Sequence, residues 1–194
     1  MLDLLITVTM NNTIFKILSV ILVSLFITSC SKADELKEGD IIFHTSQSKQ
    51  APLIAYATMS NKTHCGIIVE KDSKLYVLET LGTIKLTPLN NFIDRGLFKH
   101  YWVKRGINKP IDYKKYLGIP YDLSFKPDNS RYYCSELVYT IYKEQFGVEL
   151  CAMRQIKDYN IFGIAKTMKA RGMDVNQYVV APSDLFNSPK LTGI

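Results

Sequence analysis

The chain has 194 residues, 47% of them hydrophobic and 22% charged, which suits one globular domain with a buried core. Twenty-four lysines and arginines against 18 acidic residues give a formal net charge of +6. The basic residues are scattered and form no patch interleaved with aromatic side chains, which argues against nucleic acid as a partner. A charge of this sign instead favours anionic surfaces, such as cell-wall polymers or lipid headgroups.

The N-terminal segment predicts export from the cell and lipidation. Residues 17–27 form an almost uninterrupted apolar run, which is short for a membrane span and has the length of a signal-peptide core. The run leads into "ITSC", which resembles the lipobox of bacterial lipoproteins, in which the cysteine, here Cys30, carries lipid and becomes the new N-terminus. An ordinary signal peptide or a short anchor helix is the alternative.

This interpretation divides the chain into three parts. We expect residues 1–29 to be a lipoprotein signal peptide and the polar stretch 30–38 to be a lipidated tether. Residues 39–194 would then form one domain, anchored to a membrane of the bacterial cell envelope. Whether that domain is periplasmic or exposed on the surface is left open by the sequence.

The remaining chain predicts an α+β fold, because short strands come first and the main helices follow without a βαβ rhythm. Five segments rich in β-branched and aromatic residues are predicted as strands: "GDIIFHT", "HCGIIVE", "LYVLET", "TIKLTPL" and "KHYWVKR". Helices are predicted around 50–59, 112–117, 134–146 and 161–171. We expect an antiparallel sheet or partial barrel with the helix at 134–146 packed on it.

Residues 63–80 predict a β-hairpin that contains His64, one of three histidines in the chain. If the loop consists of Lys71 and Asp72, His64 lies opposite Glu79, and any even-length loop keeps both side chains on one face. A carboxylate in this position would orient the imidazole and stabilise its charged form. The alternative is a solvent-facing Glu79 on an edge strand.

The stretch "RYYCSELVY", residues 131–139, places Cys134 directly before an amphipathic helix. Leu137, Val138 and Ile141 carry apolar side chains at helical spacing. The dipole and the unpaired N–H groups of a helix N-terminus stabilise a thiolate, so Cys134 is a candidate nucleophile. The alternative is a buried packing residue, because free cysteine is among the most buried residue types.

Apart from Cys30, the chain has three cysteines, namely Cys65, Cys134 and Cys151. No C-x-x-C pair occurs and histidines are few, so neither a metal site nor another cofactor is predicted. Nothing in the sequence demands a bridge between Cys65 and Cys151. Cys65 follows His64, so we expect it to point to the opposite face of its strand as an inert core thiol.

Six segments in order resemble the circularly permuted papain-like NlpC/p60 family of the YiiX-like type. They are "LKEGDIIFHTSQS" (36–48), "ATMSNKTHCGIIVE" (57–70), "LYVLET" (75–80), "LGIPYDLSF" (117–125), "YYCSELVYTIYK" (132–143) and "VVAPSDLFNSP" (179–189). Ordinary papain-like enzymes place the cysteine helix before the histidine strand. The permuted group reverses this order, as this chain does.

The resemblance implies a cysteine amidase or peptidase with Cys134 as nucleophile, His64 as base and Glu79 as orienting residue. Such an enzyme would cleave an amide bond, peptide or N-acyl, in a cell-envelope substrate. The substrate would be a peptide, a peptidoglycan fragment or an acylated small molecule. A lipid acyl hydrolase or acyltransferase of the same fold and a non-catalytic ligand-binding lipoprotein are the alternatives.

The sequence leaves alternatives open for three further residues. Tyr121, in "PYDLSF", resembles the family's pocket tyrosine, and packing on the domain surface is the alternative. His44 stands where the family more usually has glutamine, so it either lines the cleft and contacts substrate or faces solvent. His100, in a predicted strand, is expected on the surface or in packing.

Overall fold

The fold is organised around one antiparallel sheet of six strands, in the order β4-β3-β2-β1-β5-β8. The structure is a computed structural model that describes residues 36–126 and 129–194. The strands are β1 (Ile41–Ser46), β2 (His64–Lys71), β3 (Lys74–Leu81), β4 (Thr83–Pro88), β5 (Gly96–Arg105), β6 (Arg154–Gln155), β7 (Tyr178–Val179) and β8 (Thr192–Gly193). Strands β6 and β7 pair with each other in a separate ribbon.

The helices lie mainly in the second half of the chain. They are α1 (Ala51–Thr58), α2 (Leu89–Asp94), α3 (Cys134–Phe146), α4 (Ala165–Ala170) and α5 (Pro182–Phe186), with 3-10 turns at Lys114–Tyr116 and Ile156–Asp158. The predicted α+β architecture is confirmed, and strands β1 to β5 match the five predicted strands. Helix α2 was not predicted, because its six residues carry no side-chain cap.

The core forms where α3 packs against β2. Leu137, Val138 and Ile141 are fully buried, as the helical spacing predicts. Burial of side chains of this size stabilises the fold by about 1.5–3 kcal/mol each. The helix ends at Gly147, whose φ of 68° is left-handed and suits a residue without a Cβ. This packing fixes the start of α3, and with it Cys134, over the sheet.

The hairpin between β2 and β3 differs from the prediction by one position in its loop. Lys71 pairs with Lys74, so the loop is Asp72 and Ser73 rather than Lys71 and Asp72. Both loop residues have positive φ, 51° and 55°, which the tight hairpin turns require and which aspartate tolerates better than lysine. The loop still has two residues, so the predicted sharing of a face is preserved.

The predicted signal peptide, Cys30 and residues 30–35 of the tether lie outside the described residues. Within the described part of the chain, no helix has the length and apolarity needed to cross a membrane.

Candidate active site

His64 and Glu79 are in direct contact, as the hairpin predicts. Nε2 of His64 lies 2.7 Å from Oε2 of Glu79, and the Glu79 side chain is fully buried. Because of the shifted loop, Glu79 lies diagonally across the hairpin from His64 rather than directly opposite. The contact is confirmed, while the catalytic role of either residue stays a prediction.

Gly66 provides the space for this pair. Continuing the hairpin register by one residue sets Gly66 opposite Glu79. A Cβ at Gly66 would lie 2.4 Å from Cγ1 of Val77 and 3.3 Å from Cβ of Glu79, so a side chain there would displace β3. The absence of a side chain lets the Glu79 carboxylate reach along the sheet towards His64.

Arg95 is a partner of Glu79 that the sequence did not reveal. Its guanidinium donates to Oε1 of Glu79, so the two carboxylate oxygens face two different cations. Arg95 follows α2, and its approach to Glu79 depends on how that helix packs against the sheet. No local sequence pattern marks such a contact.

Cys134 lies close enough to the His64 ring for each of the two groups to shift the pKa of the other. Nε2 of that ring faces Glu79, so Nδ1 is the nitrogen that serves the thiol. Cys134, His64 and Glu79 therefore form a continuous series of thiol, imidazole and carboxylate. The same order of contacts underlies nucleophile activation in many hydrolases.

The electrostatics of the series favour an ionised pair. Burial alone would lower the pKa of His64, but Cys134 and Glu79 together raise it to about 10. The pKa of Cys134 is held well below its usual value, first by a hydrogen bond from Cys65 and then by His64. Burial opposes ionisation of Glu79, yet contact with His64 lowers its pKa to about 2. These shifts favour the thiolate form of Cys134, the imidazolium form of His64 and the carboxylate form of Glu79.

Cys65 is the core thiol that alternation along β2 predicts. It is fully buried, and burial raises its pKa well above the usual value. It nevertheless lies close enough to Cys134 for the two thiols to influence each other's pKa. The reason is tertiary, because α3 packs on the sheet face that carries Cys65, and His64 contacts the thiol from the end of β2. All three described cysteines are free.

His44 is buried beneath the site rather than facing solvent. Its ring stacks on Phe92 with a centroid distance of 4.4 Å and lies 5.2 Å from the His64 ring. Burial, together with the charge on His64, lowers the pKa of His44 to about 3, so the ring is neutral. Its Nδ1 has no hydrogen-bond partner.

Tyr121 faces the site, whereas His100 does not. The Tyr121 hydroxyl donates to Oε1 of Gln50 at 3.3 Å, and burial, followed by the charge of Cys134, raises its pKa well above the usual value. His100 is exposed and packs edge-on against Trp102, with ring centroids 4.5 Å apart. His100 is thus on the surface, as predicted.

Two cavities adjoin the series of contacts. A cleft of about 730 Å³ is lined by His64, His44 and Tyr121 together with mostly polar residues, among them Gln47, Lys49, Gln50 and Arg95. A second pocket of about 90 Å³ is lined by Cys134 and by almost entirely apolar residues, among them Leu53, Phe125, Met168 and Val180. Ile54 borders both, so base and nucleophile open onto spaces of different polarity.

Residues 35–194 match a family described as permuted papain-like amidase enzyme, YaeF/YiiX, C92 family. The chain belongs to this family. The resemblance inferred from the six segments is thereby confirmed, and with it the permuted order of histidine strand and cysteine helix. Family membership makes amide hydrolysis the leading chemistry for the three residues in contact.

Two members of this family from Escherichia coli are similar over most of their length. The uncharacterized protein YiiX of strain K12 is 31% identical over 188 residues, which cover 90% of this chain and 93% of YiiX. A crystal structure of yiiX from strain O157:H7 has a TM-score of 0.75 and 32% identity, covering 81% of this chain and 96% of that one.

That crystal structure is described as one of a metalloprotein. Residues 36–126 and 129–194 of this chain contain no group of three or more His, Cys, Asp or Glu side chains that could hold a metal ion. The described residues therefore offer no metal site with three or more such ligands, and the proposed chemistry uses side chains alone.

Proposed function

We propose that the protein is a cysteine amidase that cleaves a peptide or N-acyl amide bond in a cell-envelope substrate. The observation that supports this most directly is the series of contacts from Cys134 through His64 to Glu79. A protein that only binds ligand has no use for a thiolate paired with an imidazolium. Membership of the permuted papain-like amidase family points to the same chemistry.

The proposed reaction begins with the Cys134 thiolate. Its sulfur attacks the carbonyl carbon, and the carbonyl π electrons move to oxygen. Backbone N–H groups in the first turn of α3 donate to the resulting oxyanion. When the tetrahedral intermediate collapses, the C–N bond breaks and His64 gives its proton to the leaving amine. His64 then deprotonates a water molecule, which attacks the thioester carbonyl. The C–S bond breaks, the acid leaves, and the thiolate and imidazolium pair is restored.

Glu79 and Arg95 act on this reaction through His64. The carboxylate holds Nε2 of His64, so the ring keeps the orientation in which Nδ1 serves the sulfur. Its negative charge also stabilises the imidazolium. Arg95 binds the other carboxylate oxygen and is in a position to limit rotation of the Glu79 side chain.

The apolar pocket beside Cys134 favours a substrate with an acyl group. Such a substrate would also suit the alternative function, an acyl hydrolase or acyltransferase of the same fold. In the thioester intermediate the acyl group is bonded to the Cys134 sulfur, which borders this pocket. The leaving group takes its proton from His64, which borders the polar cleft. An apolar acyl part and a polar leaving part therefore suit the two spaces better than a stem peptide that is polar on both sides.

We also propose that the enzyme works at a membrane of the cell envelope. The support is the signal-like segment and the "ITSC" sequence before Cys30, which would anchor the domain through lipid. A substrate in the cell wall or with an acyl chain in the membrane would then lie within reach of the tether.

The experiment that tests the function is labelling of the full chain with a chloroacetamide probe, followed by a screen of muropeptides and N-acyl amino acids. We expect the probe to modify Cys134 first and the Cys134→Ser variant to lose all hydrolysis. Cys151→Ala is the matched control, because it removes a thiol that lies outside the series of contacts, and it should hydrolyse at the wild-type rate. Equal labelling of Cys65, Cys134 and Cys151, or labelling only after denaturation, would contradict the proposal.

A further inference from the structure

One cation of the polar cleft has no counter-charge. The cleft has a volume of about 730 Å³, and the charged residues that line it are Lys49, His64, Asp94 and Arg95. Lys49 is exposed and forms no ion pair within the described part of the chain. It stands in the polar sequence from Ser46 to Gln50, and all five of these residues line the cleft. An ammonium group among polar side chains is a suitable binding partner for an anion.

The other three charged residues of the cleft are matched. Asp94 pairs with Lys99, with Oδ1 and Nζ 3.0 Å apart. His64 and Arg95 both contact the carboxylate of Glu79. These two cations exceed the one carboxylate by a single charge, which the thiolate of the proposed mechanism balances. The charge that remains to attract a ligand into the cleft is therefore that of the lysine.

The neighbouring helix adds to the positive potential of the cleft. Helix α1 begins at Ala51, directly after this polar sequence, and it has no acidic residue in its first turn and no side-chain cap. The positive end of its dipole is therefore not compensated by its own side chains.

Two buried polar atoms of residues that line the cleft have no hydrogen-bond partner among the described residues. They are Nδ1 of His44 and Oγ1 of Thr80. Buried polar atoms in proteins are normally paired. A wall with two unpaired atoms therefore suits a polar ligand better than an apolar one.

We propose that the polar cleft binds a carboxylate on the leaving side of the substrate, so that the amine released is that of an amino acid. The inference rests on the proposed function, because it concerns the group that leaves when the C–N bond breaks. The acyl part stays on the Cys134 sulfur beside the apolar pocket, and the leaving nitrogen takes its proton from His64 beside the polar cleft. A carboxylate one carbon away from that nitrogen would have Lys49 as its counter-charge.

The carboxylate takes no part in bond breaking, so the steps of the reaction are those described above. Two kinds of substrate carry such a group next to the amide nitrogen. One is an N-acyl amino acid, and the other is a peptide that is cleaved before its C-terminal residue. The apolar pocket beside Cys134 favours the first of them.

The test is calorimetric titration of the full chain with N-hexanoyl-L-alanine and with its uncharged carboxamide, in a Cys134→Ser background that prevents turnover. The acid should bind about tenfold more tightly than the amide, because its hydrogen bonds are charge-assisted. Lys49→Gln should reduce this ratio to about threefold or less, and Lys49→Glu should reverse it. Lys74→Gln is the matched control: it removes the same charge at the end of β3 away from the cleft and should keep the ratio.

The outcomes separate this inference from the function itself. Failure of the acid to bind more tightly than the amide, or an equal ratio with and without Lys49→Gln, overturns carboxylate recognition. Labelling of Cys134 by the chloroacetamide probe would still support the hydrolase in that case, and absence of that labelling overturns the proposed function instead. Titration with trialanine distinguishes the two sources of the carboxylate. Tighter binding of N-hexanoyl-L-alanine than of trialanine supports an N-acyl amino acid, and the reverse order overturns that choice in favour of a peptide C-terminus.

Discussion

Asp40 and Glu79 are two buried carboxylates of the same sheet, and each is paired with an arginine. Asp40, directly before β1, accepts from Nε and Nη2 of Arg105, both at 2.8 Å, and from the backbone N–H of Lys37 at 2.8 Å. These donors keep their protons at any pH at which the protein is folded. The charge of Asp40 is therefore matched permanently, which suits a residue that fixes the start of a strand.

Glu79 differs because one of its partners is titratable. Arg95 occupies one oxygen, while His64 occupies the other through Nε2 at 2.7 Å. The proposed reaction moves the proton on Nδ1, the other nitrogen of that imidazole. Burial of a carboxylate beside an arginine is thus no sign of function by itself, and the titratable second partner, His64, is what distinguishes Glu79 from Asp40.

The largest effect that would sharpen this comparison is expected from Glu79→Gln. The amide can still orient the His64 ring, but it cannot balance the imidazolium, so kcat/KM should fall by roughly 100- to 10,000-fold. The free energy of unfolding should fall as well, because glutamine leaves the His64 imidazolium without its buried counter-charge. Steady-state kinetics and urea unfolding measure the two quantities. Wild-type kinetics in this variant would remove Glu79 from the mechanism.

Asp40→Asn should lower the stability of the protein without lowering its activity. The amide group replaces one acceptor with a donor that faces the Arg105 guanidinium, so the free energy of unfolding should fall by about 1.5–3 kcal/mol. The folded fraction should keep the wild-type kcat, since Asp40 has no contact with the series from Cys134 to Glu79. A loss of kcat at a temperature where the variant is fully folded would show that the two carboxylates are not separate in function.

The contact between His64 and Glu79 could be predicted from the sequence because strands have a side-chain period of two. His64 and Glu79 lie on the same face for any even loop, so their contact survived a one-residue error in the position of the loop. The loop was placed one residue too early because only two residues, Asp72 and Ser73, form the turn with positive φ, so the sequence signal for its position is short. Strands β1 to β5 could be predicted for a similar reason, since each is a local run of β-branched and aromatic residues.

Contacts between elements that are distant in the chain could not be predicted from local sequence patterns. Arg95 reaches Glu79 only through the packing of α2, a six-residue helix without a side-chain cap. Alternation along β2 placed Cys65 on the face opposite His64, but it did not show that α3 covers that face and brings Cys134 to both residues. The motifs predicted that Cys134, His64 and Glu79 lie together. The packing of α3 on the sheet determines which other residues surround them.

The pH dependence of stability should show the difference between a fixed and a titratable partner. His64, with its pKa raised from 6.5 to about 10, contributes stability that is complete below pH 6.5 and is lost as pH rises towards 10. Cys134, whose pKa is lowered from 9.0, contributes stability that is present above pH 9 and is lost as pH falls. The two opposing slopes cancel between these values, so this pair leaves a plateau from about pH 6.5 to 9.

Above pH 9 this pair should lower the unfolding free energy by up to about 1.4 kcal/mol per pH unit until His64 loses its proton, and the buried Cys65 thiol, whose pKa is raised, should add to that loss. Below pH 6.5 it should fall as well, with Glu79 adding to the loss between pH 4.5 and about 2. Urea unfolding at a series of pH values measures both limbs. In His64→Gln the loss between pH 6.5 and 4.5 should be smaller, and an identical profile would mean that no ionised pair exists.

The smallest effect is expected from Arg95→Gln, which removes the fixed partner of Glu79 and leaves the titratable one. His64 still holds Oε2, and the partly exposed position of Arg95 means that solvent can replace it at Oε1, so kcat should fall only about three- to tenfold. The pKa of Glu79 should rise, because the charge of Arg95 helps to lower it. The Glu79 part of the acid limb should therefore still begin near pH 4.5, which the unfolded chain sets, but it should end at a higher pH and be smaller than in the wild type. A loss of activity as large as that of Glu79→Gln would instead make Arg95 essential for placing the carboxylate, and Glu79 would then resemble Asp40 in depending on its arginine.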